Sequence, residues 1–213
     1  MVPANDAIVV LLEQPNLDYI DASKQACNAV ALVSRATMRT QAVFRLEKRE
    51  IANCAYPVNA PKTSGGNPDK VRWLLIGTAF LDPEETIPST GRILMLDAQT
   101  MELIQVFTTS GSVQSILVTE QNKFLLLGVN NQVQAYDFTT FMPSLRANTG
   151  TVQKAGKFEM LCSKSSGTFI QSIVKLAAPG SDKRPADLAE SIVVGDMTGR
   201  GVATFELKPC RLN

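Results

Sequence analysis

An apolar run that closes on glycine occurs three times in this chain, and each time it occupies the same place in a longer pattern. The runs are VRWLLIGTAF (Val71–Phe80), KFLLLGV (Lys123–Val129) and ESIVVGD (Glu190–Asp196), with Gly77, Gly128 and Gly195 near their ends. Before them stand IANCAYPV (Ile51–Val58), SVQSILVT (Ser112–Thr119) and TFIQSIVKL (Thr168–Leu176). After them come GRILMLD (Gly91–Asp97), QVQAYDF (Gln132–Phe138) and GVATFEL (Gly201–Leu207), which alternate and carry Asp97, Asp137 and Glu206 near their ends. The first unit adds a further strand, MELIQVFT (Met101–Thr108).

Short strands rich in Val, Ile, Leu and Phe, separated by Gly, Pro, Asn and Ser/Thr clusters, are the signature of an all-β chain. A strand that is apolar at every position must be covered on both faces, whereas one that alternates meets solvent on one side. Both conditions hold in a β-propeller, where the second strand of each blade lies between neighbouring blades. The closing glycine permits either a tight turn or a close backbone approach. The glycines stand about 51 and about 67 residues apart, against roughly 40–50 residues for a propeller repeat. Loops at Leu81–Thr90, Thr139–Gly167 and Ala177–Ala189 account for the excess, and Asn59–Asp69 reads as a flexible insertion. An antiparallel sandwich is the competing architecture; the shared three-strand register favours the propeller. Asp187–Glu190, the best helical candidate, is too short and follows Pro179 and Pro185.

The expected fold is therefore a partial β-propeller of about three to four four-stranded antiparallel blades. Residues 1–50 are expected to hold part of a preceding blade and a lead-in, with strands near Ala7–Leu12, Ala29–Val33 and Gln41–Leu46. Residues 51–213 are expected to hold three blades, at 51–108, 112–148 and 168–207.

Charge and residue inventory narrow the function. Lys+Arg 21 against Asp+Glu 20 leaves a formal charge of +1, which does not suit a strongly basic nucleic-acid surface. Arg45, Lys48 and Arg49 are interrupted by Glu47 and followed by Glu50, the composition of a solvated face. The six apolar residues Ala7–Leu12 are too few for a secretory core or for a membrane span of about 20 residues, so a soluble intracellular protein without membrane contact is expected. Cys27, Cys54, Cys162 and Cys210 are scattered, and the chain has no histidine, so a zinc site is not expected. The cysteines fit buried or partly exposed thiols in a reducing compartment.

Without histidine, a Ser-His-Asp arrangement is excluded. Glu84 and Glu85 are paired carboxylates, but adjacent loop residues point apart, so acid–base work is not expected of them. The segment GDMTGRG (Gly195–Gly201) lacks the Lys-Ser/Thr of a phosphate loop and reads as a turn between strands. Trp73, the sole tryptophan, sits in an apolar run and reads as core. No catalytic residue, metal or cofactor is expected, and what remains is an interaction surface built from blade-end loops and the channel mouth.

The segment IGTAFLDPEETIPSTGRILMLD carries a resemblance. Gly77-Thr78-Ala79, Pro83-Glu84-Glu85, Pro88 and Gly91-Arg92-Ile93 look like the C-terminal propeller region of the large damaged-DNA-binding subunit. The same superfamily includes the large cleavage-and-polyadenylation subunit and a spliceosomal scaffold. The resemblance extends over Ser112–Phe138 and SIVVGDMTGRGVATFELKP, and so covers Ile51–Pro209.

It implies a non-catalytic scaffold, similar to the adaptor of a cullin-RING ubiquitin ligase acting in DNA repair, in the nucleus and cytoplasm. Substrate-receptor proteins are the implied partners, held by the blade-end residues Asn130, Asn131, Thr198, Gly199 and Arg200, with Glu84 and Glu85 beside them. Nucleic acid would be reached through partners. The alternative is a nucleic-acid-associated scaffold of mRNA 3′-end processing or splicing. A seven-bladed ring needs about 300 residues at roughly 40–45 per blade. This chain cannot close such a ring alone, so other propellers of the same scaffold, or a second copy, are expected to cover its open ends.

Overall fold

The computed structural model describes residues 2–4, 6–13, 28–59, 71–119, 124–139, 158–166, 169–175, 190–196 and 202–207. Among these residues there is no helix, and the strands form four separate antiparallel sheets, each a meander in chain order. The first holds β1 (Val2–Ala4), β2 (Ala7–Leu12), β3 (Ala29–Ser34) and β4 (Thr40–Arg45). The second holds β5 (Glu50–Asn59), β6 (Val71–Phe80), β7 (Gly91–Asp97) and β8 (Leu103–Thr109). The third holds β9 (Val113–Val118), β10 (Phe124–Val129), β11 (Gln132–Asp137) and β12 (Met160–Ser165), and the fourth β13 (Ile170–Lys175), β14 (Glu190–Asp196) and β15 (Val202–Leu207).

The sheets stack through their first strands. β5 lies against β1, β2 and β3; β9 lies against β5, β6 and β7; β13 lies against β9 and β10. Sheets that touch near their first strands and diverge toward their last are blades around a common axis. The fold is a partial β-propeller.

Residue alternation shows why the middle strands are apolar throughout. On β6 and β7, Trp73, Leu75, Ile93 and Met95 pack into one core with Val113 and Leu127 of the third sheet. The intervening Leu74, Ile76, Leu94 and Leu96 pack the other way, into a core with Val30 and Leu32 of the first sheet. Leu126 likewise turns away from the second sheet, toward Ile170 and Ile173 of the fourth. Leu74, Leu75 and Ile76 are each 0% exposed, and burial of such a side chain stabilises by about 1.5–3 kcal/mol.

The recurring glycines serve close approach and not a turn. Gly77 lies within β6, where a Cβ would stand 2.6 Å from both Cys54 Sγ and Val113 Cγ1. At Gly128 it would stand 2.7 Å from Ile170 Cγ2. Val113 and Ile170 each belong to the first strand of the following sheet, so each glycine is the notch into which the next blade fits a β-branched side chain. Gly195 has the corresponding neighbour within its own sheet, Ser172, whose Oγ would lie 2.6 Å from a Cβ.

The acidic residues that close the third strands have a local task. Asp97 Oδ1 accepts the backbone N–H groups of Gln99 (2.8 Å) and Thr100 (2.9 Å), and Asp137 Oδ1 accepts that of Thr139 (2.8 Å). Asp97 thus shapes the reversal between β7 and β8, and Asp137 holds the first residues after β11.

Two strands carry no legible sequence pattern. β12 lies beyond residue 148, inside the stretch expected to be loop; its MLCSKS sequence is exposed at every position, so no face is selected for apolar residues. It pairs with β11 from Gln132↔Ser165 to Tyr136↔Met160 and completes the third sheet. β1 is three residues long with Pro3 at its centre, yet pairs with β2 and gives residues 1–50 a four-stranded sheet.

Candidate interaction surface

Strand direction places several connections at one end of the blades. Glu50 pairs with Phe80, Gly91 with Thr109, and Val129 with Gln132. The β4–β5, β6–β7, β8–β9 and β10–β11 connections therefore share one face. Glu84 and Glu85 are on the β6–β7 connection and Asn130 and Asn131 form the β10–β11 turn, so the structure gathers these four. Thr198, Gly199 and Arg200 lie outside the described residues.

The β6–β7 loop holds its own shape. Asp82 Oδ1 accepts the Glu84 N–H at 3.1 Å, and the Glu85 carboxylate accepts the Ser89 N–H (2.9 Å) and hydroxyl (2.7 Å). Glu85 is thus engaged within the loop. Glu84 is exposed, beside Leu81 (43% exposed) and Ile87 (48%), so the loop offers apolar side chains among carboxylates.

Asn130 ties this loop to the blades. Its backbone has φ 49°, a left-handed conformation that asparagine tolerates better than most residues. Its side-chain Nδ2 donates to the Pro88 carbonyl at 3.1 Å, and its Oδ1 accepts the Ser112 N–H at 3.0 Å. Its carbonyl accepts the Ile170 N–H at 2.8 Å. One half-buried side chain and its backbone thereby join the second, third and fourth sheets. Asn131 is exposed, and its carbonyl accepts the Ser166 N–H and hydroxyl at 2.9 and 3.2 Å.

Beneath the loop lies a cluster that the sequence pattern does not announce. Glu50, read as part of a solvated charged run, is 0% exposed. Its carboxylate accepts the Thr78 hydroxyl (2.6 Å), the Glu47 N–H (3.0 Å), and Arg92 through Nε (2.9 Å) and Nη2 (2.5 Å). Arg92 also pairs with Glu47 and lies 5.1 Å from the centre of the Phe80 ring. The hydrogen bond to Glu50 is the main cause that raises the Arg92 pKa above its ordinary value. Residues 42 positions apart close this contact, so charge order along the chain gives no hint of it. The Gly91-Arg92-Ile93 motif is the nearest signal.

The thiols differ sharply. Desolvation, only partly offset by a backbone contact at Gly77, pushes the Cys54 pKa up to about 12, from 9.0. Cys162 is exposed on β12. N-ethylmaleimide at pH 8 should alkylate Cys162 and spare Cys54 in the native protein, and label both in urea; peptide mass mapping reads the difference. A thiol whose folded pKa is raised favours the native state below its unfolded pKa. Its contribution should fade as pH rises from about 9 toward about 12. Cys27 and Cys210 lie outside the described residues. Among the described residues, no three His, Cys, Asp or Glu side chains converge on a metal-sized site.

A family model described as the CPSF A subunit region matches residues 28–148, more than half of the chain, from just before β3 to beyond β11. No curated protein matches the chain significantly.

Proposed function

The chain belongs to the CPSF A subunit region family, a family of propeller scaffolds, and from that premise we propose that it acts as a protein-interaction scaffold of the cullin-RING adaptor type. The observation that carries this reading is the shared face on which Asn130 bonds the Leu81–Thr90 loop to three blades. A loop held in this way presents Leu81, Glu84 and Ile87 with little ordering entropy left to lose on binding. Substrate-receptor proteins are the partners this reading assigns to that face.

Completion of the ring falls to other propellers of the scaffold or to a second copy. Val43 on the first sheet (49% exposed) and Val174 and Val202 on the fourth (52% and 71%) support this, because they lie on sheets at the two ends of the array.

The test is co-expression with the remaining propellers of such an adaptor and one of its substrate receptors, followed by size-exclusion chromatography. Co-elution is expected, with loss of the receptor when Leu81, Glu84 and Ile87 are all replaced by Ser. Absence of the receptor from the wild-type complex would sink the adaptor role.

A further inference from the structure

The first strands of three sheets share an irregularity. Pairing slips between Ala52 and Cys54 on β5, between Val113 and Ser115 on β9, and between Ile170 and Ser172 on β13. In each case one residue is left unpaired opposite the recurring glycine level, since Cys54, Ser115 and Ser172 pair with Gly77, Gly128 and Gly195. The unpaired residues are Asn53, Gln114 and Gln171, so a carboxamide occupies the bulge every time. A bulge re-aims its extra side chain outside the normal alternation. The flanking residues confirm this: Ala52 and Ala55 pack toward the first sheet, Cys54 and Tyr56 toward the third.

These bulges lie on the inner edge of the blades, next to the loop-bearing face. Asn53 Nδ2 donates to Ser112 Oγ (3.0 Å) and to the Val113 carbonyl (3.2 Å), bridging two blades along the inner wall. Gln114 Nε2 donates to the same Ser112 hydroxyl at 2.7 Å. Among the described residues no hydrogen bond uses the side-chain carbonyl of either residue, and Gln171 is exposed.

We propose that Asn53, Gln114 and Gln171 form a docking row for an extended, uncharged polypeptide segment that enters the inner channel from the loop face. A carboxamide has two N–H hydrogens and one carbonyl acceptor. Asn53, with both hydrogens engaged, offers its carbonyl to a peptide N–H. Gln114 keeps one hydrogen and Gln171 is exposed, so these two can pair with a peptide unit through donor and acceptor. The inner strands argue against nucleic acid, which binds through cations set against phosphate. Among the residues of β5, β9 and β13 the only cation is Lys175, at the far end of β13 from Gln171. The row does not depend on the adaptor role, because it uses the channel edge and not the Leu81–Thr90 loop.

The test uses the full 213-residue chain, fluorescently labelled, on an array of uncharged, end-capped ten-residue peptides with single-stranded RNA ten-mers alongside. A subset of peptides should bind, with affinity nearly unchanged between about 50 and about 500 mM salt. Gln114→Ala with Gln171→Ala should weaken that binding by about tenfold or more, as expected for two lost hydrogen bonds. Gln114→Glu with Gln171→Glu keeps the shape, removes the donors, and should weaken it similarly; the urea midpoint of each variant checks that it folds. No peptide binding, binding indifferent to both variants, or preference for RNA with steep salt dependence would overturn the proposal.

Discussion

Arg92→Met lowers the unfolding free energy by about 3–5 kcal/mol, the cost of leaving a buried carboxylate without its partner. Glu50 is enclosed at the start of β5, and Arg92 supplies two of its four hydrogen bonds. Once the guanidinium is gone, only the Thr78 hydroxyl and the Glu47 N–H remain to stabilise the charge. Adding Glu50→Gln to Arg92→Met removes that charge, so the double variant should be clearly more stable than the sum of the single losses predicts. Urea unfolding followed by the fluorescence of Trp73, buried at 3% exposure in β6, reports both. Additive losses would mean that the two residues do not act as a pair.

Gly77→Ala should cost about 1–3 kcal/mol by overpacking, although alanine by itself would favour folding by about 0.4–1 kcal/mol through the unfolded state. The sign follows from what surrounds the new methyl group. Val113 is 0% exposed and branched at Cβ, so it cannot swing aside, and Cys54 Sγ closes the other side. Gly128→Ala should behave alike against Ile170. Val113→Ala reopens the notch at Gly77, so Gly77→Ala should cost less in that background. The same urea series reads the coupling, and its absence would mean that the second and third sheets do not meet at this notch.

What was legible in the sequence follows from burial. Strands enclosed by two neighbouring blades must be apolar at every position, and β6 and β10 can be read for that reason. β14, on a sheet with one described neighbour, is read from its short Ile-Val-Val run and closing glycine. The three glycines are legible as a repeat, but deciding between turn and close approach needed Val113 and Ile170, residues of the next blade. β12 escaped because an outermost strand exposed at every position has no reason to alternate. Glu50 escaped for the opposite reason: its neighbours Glu47, Lys48 and Arg49 are exposed, and its partner is distant in sequence. Of the candidate surface, Asn130 was legible as a turn residue, whereas its grip on Pro88 and Ser112 depends on how three blades come together. The carboxamides Asn53, Gln114 and Gln171 stand in view in the recurring segments, yet only the pairing register shows that each is a bulge.

An array of blades with apolar residues on its two end sheets should not remain single in solution, and sedimentation equilibrium of the 213-residue chain alone tests this most directly. The expected result is a mass that rises with concentration, and that falls back toward the 23.1 kDa monomer when Val174 and Val202 are both replaced by lysine. A well-folded wild-type chain that stays monomeric at every concentration would contradict the open-ended propeller scaffold.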